Sequence, residues 1–291
     1  MTTLHPLAKY PGPFIAKLTN VYSVWHAIRG TRHSDLYRLH QKYGDFVRWG
    51  PNSISINNVD ALEPIYGAKA NVQKSSWYGS FYSVSIFNVI DKDVHARKKR
   101  VMSYAFSDQA VREIQPHVLG VIKDWCAGLG DRLEPDSMSP KSEWSSPKDM
   151  RLWAAYNIFD SLGELLFGQS FKTTTSEDNR YFLHMLPQIV WFNNIIGQMP
   201  GLAKLRLDLF FMRGQKERRE KQVAFAVGNL KKRLALGPDS NGRRDIVHYL
   251  QVAKDPETGQ GYSEKELIGE TVLLLGAGRY SVQHENHLDC H

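Results

Sequence analysis

Cysteine is nearly absent from this sequence. Its 291 residues hold two, Cys126 and Cys290. That is too few for a disulfide framework and fits a reducing compartment. Long apolar runs are absent as well. Crossing a bilayer takes about 20 consecutive apolar residues, and the richest stretch, Phe182 to Met199, is broken by His184, Pro187, Gln188 and the Asn193-Asn194 pair. Met1 to Lys9 is short and polar, unlike a signal peptide or membrane anchor. No segment repeats at solenoid or propeller spacing. No strand–helix–strand alternation occurs, which disfavours a Rossmann or TIM architecture. Gly276-Ala277-Gly278 supplies only half of a dinucleotide fingerprint, because the third glycine is missing.

What is present is a mixed, basic chain. Hydrophobic residues make up 42% and charged residues 23% of it, so it can bury a core and is not globally disordered. Lys and Arg number 37 against 30 Asp and Glu, a net charge of +7. The excess clusters in Arg97-Lys98-Lys99-Arg100 and between Arg213 and Lys221. Such a surface favours anionic lipid, an acidic protein or nucleic acid, without choosing among them. A basic helical nucleic-acid binder is the reading that charge alone supports, and nothing else in the sequence adds to it.

Pro11-Gly12-Pro13 reads as a rigid lead-in. Ser34 is expected to cap a helix carrying Leu36, Leu39 and Tyr43 and ended by Gly44. Alternation through Phe46 to Trp49 and Ser53 to Ile56, around Gly50-Pro51-Asn52, predicts a β-hairpin. Asp60 is expected to cap a short helix that ends near Gly67. From Asp91 onward the pattern is helical, with helices expected over Val94–Phe106, Gln109–Leu129, Asp149–Phe167, Asp178–Ile196, Leu207–Ala235 and Asp245–Ala253. Leu152, Tyr156, Phe159, Leu162 and Leu166 form one apolar stripe. Glu134 to Lys148 reads as a loop. Ser263 with Glu266 is a capping box opening a last helix that turns apolar at Val272 to Leu275. Beyond Gly278 the sequence is polar, His-rich and without helical period. The expected fold class is mainly α with a small N-terminal β element.

These pieces, in this order, resemble the fungal cytochromes P-450. Lys9-Tyr10-Pro11-Gly12-Pro13 is similar to their proline-rich hinge, and Tyr43 to Arg48 with Gly50 to Ser55 to their first strands. His95-Ala96-Arg97-Lys98-Lys99, leading to Ala105-Phe106-Ser107, resembles their C helix. Phe159-Asp160, Gly163 to Leu165 and Phe167-Gly168 resemble their E helix. Asp245-Ile246, Ala253 to Gly259 and Leu274 to Gly278 resemble the approach to their long central helix. The resemblance runs from residue 9 to 278. It implies a partial cytochrome P-450 fold over 1–278, truncated within the central helix, and an unrelated tail over 279–291. The abrupt change at Gly278 suggests that the tail is translated from intron or out-of-frame sequence.

The resemblance also implies roles. His95 and Lys99, four residues apart on one helix face, are the expected partners of the haem propionates, with Lys99 where the family has Arg. Ala277 and Gly278 would belong to the haem-facing helix. Ser281 stands near the position of the family's oxygen-groove Thr, and the acid before it is missing. The family's Glu-x-x-Arg after the central helix and its Phe-x-x-Gly-x-Arg-x-Cys-x-Gly loop, which supplies the axial thiolate, are absent. Glu177 to Arg180 matches the first only by chance of letters. The cofactor implied is haem. The partners implied are a small organic, secondary-metabolite substrate and NADPH-cytochrome P-450 reductase, with peripheral membrane contact and no nucleic acid. The location implied is the cytosolic face of the endoplasmic reticulum membrane, or the cytoplasm in the absence of an anchor. Ser76 to Ile86 and parts of Phe182 to Met199 would line the substrate pocket.

Competing readings stay open. The chain is a haem-dependent monooxygenase, or a non-catalytic remnant of one. The Arg97 to Arg100 run is a haem-facing group, or a solvated basic face. His284, His287, Cys290 and His291 form a zinc site, or an incidental tail. Cys126 is expected to be a small buried packing residue. Arg213 to Lys221 is expected to be a solvated helix face, with membrane or partner docking as its sharper alternative. Val272 to Leu275 is expected to leave an apolar patch exposed.

Overall fold

The computed structural model describes residues 5–67, 69–81, 83–130, 144–199, 213–238 and 242–283, with the side chains of 213 and 278–283 outside that description. The chain divides into two compact units, Met1–Tyr82 with Val190–Gln215, and Ser83–Ile189 with Lys216–His291.

The first unit opens with two helices that sequence pattern did not signal, α1 (Phe14–Leu18) and α2 (Val21–Ile28). Helix α3 (Arg32–Tyr43) starts earlier than expected, with Thr31 at its N-cap, so Ser34 lies inside its first turn and caps nothing. The helix begins there because the chain leaves the preceding turn at Gly30, with φ +67°. Its end follows expectation: Gly44 adopts φ +86°, a conformation that a side chain would strain. The expected hairpin forms from β1 (Phe46–Gly50) and β2 (Ser53–Ile56), antiparallel, with Phe46 opposite Ile56 and a bulge between Arg48 and Gly50. The Arg48 N–H donates to the Pro11 carbonyl at 2.7 Å, so the proline-rich lead-in covers the other edge of β1. Asn58, not Asp60, caps the next turn, because its side chain accepts the Asp60 N–H at 2.8 Å. Helix α4 (Leu62–Tyr66) follows and stops at Gly67.

The second unit holds the main core. Asp91 caps α5 (Lys92–Ser103), whose start precedes the expected Val94; a tight 3-10 turn takes over at Tyr104–Phe106. Ser107 caps α6 (Asp108–Leu129), and Asp149 caps α7 (Met150–Phe167). Helix α8 (Arg180–Gln198) is shared by the two units. Helices α9 (Arg213–Ala235), α10 (Ile246–Val252) and α11 (Glu264–Gln283) complete the order. The capping box at α11 is present: Ser263 Oγ accepts the Glu266 N–H, and the Ser263 N–H donates to Glu266 Oε2 at 3.0 Å.

The apolar stripe of α7 drives this packing. Phe159 is fully buried and stacks on Phe171 and Phe182, with ring centres 4.5 and 5.1 Å away. Phe225 of α9 closes the cluster against Phe182 at 4.6 Å. Leu166, Leu183, Leu230, Leu250 and Leu275 fill the space around it.

Three further expectations are corrected. Cys126 is exposed on α6 rather than buried, because it lies off the face carrying Ile114 and Val121. Leu275 is fully buried, and Val272 and Leu274 pack against the same core, so that stretch leaves no exposed patch within the chain. The backbone beyond Gly278 is helical through Gln283. A formed helix extends one hydrogen bond at a time, and Arg279 to Gln283 contains no Gly or Pro to stop it.

Candidate functional site

Helix α5 carries the basic run, and the structure sorts its four cations. Arg97 pairs with Glu266 on α11. Lys98 is 1% exposed and places Nζ 2.9 Å from Glu270 Oε1 and 3.3 Å from Glu266. Arg100 donates to the buried Asp255 at 3.0 Å and reaches Glu257 at 2.9 Å. Lys99 is exposed and has no ion pair among the described residues. The run is therefore neither a solvated face nor a single cluster. Three of its members clamp α5 to α11 and to the turn after α10, and Lys99 is left over.

The clamp shifts the acids that form it. The Arg100 guanidinium holds the Asp255 carboxyl well below the usual range, helped by Thr258 Oγ1 at 2.7 Å. Burial alone would raise Glu266; the Ser263 N–H, Lys98 and Arg97 outweigh it and bring the group to about 2. Burial pushes Glu270 up, against the pull of Lys98 and the Ile86 N–H. Burial, with Glu270 and Glu266 nearby, also pushes the Tyr262 phenol up. Tyr262 donates to the Lys98 carbonyl at 2.9 Å and lies under its ammonium, 4.9 Å from Nζ to the ring centre.

The remaining predicted residues fall as follows. His95 is half-buried, one turn before Lys99 on α5. At about 100° per residue the two stand about 40° apart around the axis. Ala277 is exposed on α11. Gly278 and Ser281 lie on the helical backbone of α11, and their side-chain surroundings fall outside the described residues. So do His284, His287, Cys290 and His291. Cys126 stands on α6 in no haem-ligand motif. Of the expected pocket wall, Ser76–Ser80 forms a 3-10 turn whose Trp77 packs closely on Gly197 in the first unit. Phe182, Leu183, Leu186 and Ile189 belong to the core of the second unit.

Glu270 and Asp255 were not anticipated. A buried carboxylate opposite a basic run 150 or more residues earlier has no local sequence signal. A cavity of about 500 Å³ was not anticipated either; it is lined by Asp124, Asp160, Glu164, Lys172 and Thr174, away from α5. Asp160 is already committed there, accepting the N–H groups of Thr173 at 2.8 Å and Thr174 at 2.9 Å.

Comparison with known proteins places this arrangement. The chain is 33% identical over 276 residues to the cytochrome P450 monooxygenase poxM of Penicillium oxalicum, covering 94% of this chain and 53% of that one. It is 31% identical over 277 residues to the cytochrome P450 monooxygenase atnE of Emericella nidulans, again 94% and 53%. It is 32% identical over 276 residues to the cytochrome P450 monooxygenase AKT7 of Alternaria alternata, 94% and 52%. The chain thus spans about half the length of the curated relatives it matches. The family model for cytochrome P450 matches residues 8–280. A mainly helical chain with an early hairpin, matched over nearly all its length, belongs to the cytochrome P450 family.

Proposed function

We propose that the chain forms the propionate-binding side of a haem site, as part of a monooxygenase that oxidises a small secondary-metabolite substrate. The observation that carries this is the division of labour on α5. Arg97, Lys98 and Arg100 are spent on acids, whereas Lys99, one turn from His95, has no ion pair among the described residues. Two donors on one helix face suit a carboxylate. The donor set therefore fits the carboxylate edge of a haem. It does not fit the iron, because neither cysteine of the chain stands in a ligand loop. A bound haem supplies dioxygen activation and oxygen-atom insertion, with electrons delivered by a reductase. The chain's own part is to orient the cofactor through Lys99 and His95 and to form part of the substrate wall through Ser83–Ile86. Titration of haem into the purified chain, followed at the Soret band, tests the reading. Saturable one-to-one uptake supports it; uptake that never saturates removes it.

A second reading, compatible with the first, concerns a membrane surface. No helix among the described residues is long and apolar enough to cross a bilayer. Yet Phe14, Ile15 and Leu18 on α1, and Val21, Trp25 and Ile28 on α2, are all exposed, Phe14 by 68% and Trp25 by 56%. On α2 the spacing is i, i+4, i+7, one stripe. Lys17 and Arg29 flank it. Such a stripe suits an interfacial contact with anionic lipid, at the cytosolic face of the endoplasmic reticulum in this reading. Flotation with anionic vesicles should fall when Phe14 and Trp25 are both changed to Asp; unchanged flotation would dismiss it.

A further inference from the structure

Glu270 is fully buried on α11, and its hydrogen-bond partners are donors. The Ile86 N–H reaches Oε1 at 2.9 Å and Oε2 at 3.1 Å, and Lys98 Nζ reaches Oε1 at 2.9 Å. The residue before it, Gly269, passes so close to the same loop that a Cβ there would lie 2.3 Å from the Val84 carbonyl oxygen. The Ser83–Val89 loop has its own internal brace. Asn88 Oδ1 accepts the Ser85 N–H at 2.7 Å and the Ser85 hydroxyl at 2.9 Å, while Asn88 Nδ2 donates to the Ser83 carbonyl at 2.8 Å. The loop is thus a preformed turn, attached to α11 at one close backbone approach and one carboxylate. It holds Val84 and Phe87 outward, both exposed.

Packing alone does not require a charged pair in this place. Well-packed apolar residues usually stabilise as much as a buried Lys–Glu pair, because the desolvation cost offsets the attraction. What they cannot supply is an acceptor aimed at a backbone N–H. We propose that Glu270 is a positioning residue. Its carboxylate, held by Lys98 on one side and the Ile86 N–H on the other, fixes the Ser83–Val89 loop against α11 and sets where Val84 and Phe87 stand relative to α5. The proposal rests on the monooxygenase reading only in taking this loop as substrate wall. Lys98, Glu266 and Arg97 complete a neutral cluster around it, so the loop, the basic helix and α11 are held by one network.

Amide hydrogen exchange on the purified chain tests this without haem, so its failure is distinct from a failure of haem binding. Three forms are compared: wild type, Glu270→Gln, and the double variant Lys98→Met with Glu270→Leu. The glutamine keeps an acceptor oxygen; the double variant packs but has none. Ile86 should exchange about tenfold faster in the double variant, the size of one net hydrogen bond. Its protection should be retained in Glu270→Gln. The Ser85 amide, braced by Asn88, and the amides of α5 and α11 should be unchanged in both. Equal Ile86 exchange in all three forms would overturn the proposal. So would loss of protection across α5, α11 and the loop together in Glu270→Gln, since the pair would then serve packing alone.

Discussion

Lys98 shows how little a residue's type says about its place. Four consecutive cations read as a solvated stripe or a ligand-facing group, yet one of them is among the most buried side chains in the protein. The i, i+4 spacing of His95 and Lys99 on α5 was legible. The acids that capture Arg97, Lys98 and Arg100 were not, because Glu266, Glu270 and Asp255 become neighbours only through folding. Cys126 erred the other way: a thiol beside Trp125 suggested burial, but the side chain faces solvent. The buried pair makes a sharp prediction. Lys98→Ala leaves a buried carboxylate unpaired and should cost about 3–5 kcal/mol of stability. Lys98→Met combined with Glu270→Gln removes both charges, keeps the acceptor and should recover most of that loss. Urea denaturation of the three forms measures it; a double variant no more stable than Lys98→Ala would show that the loss does not come from the unpaired carboxylate.

Elements were easier to foresee than their edges. The hairpin, the helices from α5 onward and the capping box at Ser263 follow from turn residues and period, which are local. Helices α1 and α2 escaped because they are only five and eight residues long and carry no side-chain cap to announce them. Ser34 and Asp60 looked like caps, but Thr31 and Asn58 take those places; several residue types can cap, and the backbone path decides which one does. Arg279 to Gln283 departs from the expected loss of helical period for a related reason: a helix already formed in α11 carries polar residues along with it. Helix α7 is the element on which the core depends. Phe159→Ala should cost about 3–5 kcal/mol, because it empties the centre of the stack formed with Phe171 and Phe182. A cost under about 1 kcal/mol by chemical denaturation would mean that the cluster closes over the space, unlike the usual partial relaxation of such cavities.

At the scale of the whole molecule, the clamp between α5 and α11 sets a pH dependence. Glu266, at about 2, and Asp255, lowered further, have folded values below their unfolded ones. Such groups contribute stability that is present above the unfolded carboxylate range, about 4, and lost as pH falls through the folded value. Glu270 is shifted up and acts in the opposite sense, so the loss is carried by the other two. Stability should therefore decline from about pH 4 toward pH 2, and less steeply in a Glu266→Gln form. Urea midpoints across that range check it; an identical slope in the variant would show that Glu266 does not contribute. Family membership rests on the order of elements and on a match across residues 8–280. The proposed haem-binding role rests on Lys99, which has no ion pair among the described residues. The most direct test is haem titration of wild type, Lys99→Glu and a charge-matched control on α6, Lys123→Glu. The account predicts about tenfold or more weaker haem affinity for Lys99→Glu, the scale of one charge-assisted hydrogen bond, and no change for the control. Equal affinity in all three would contradict it.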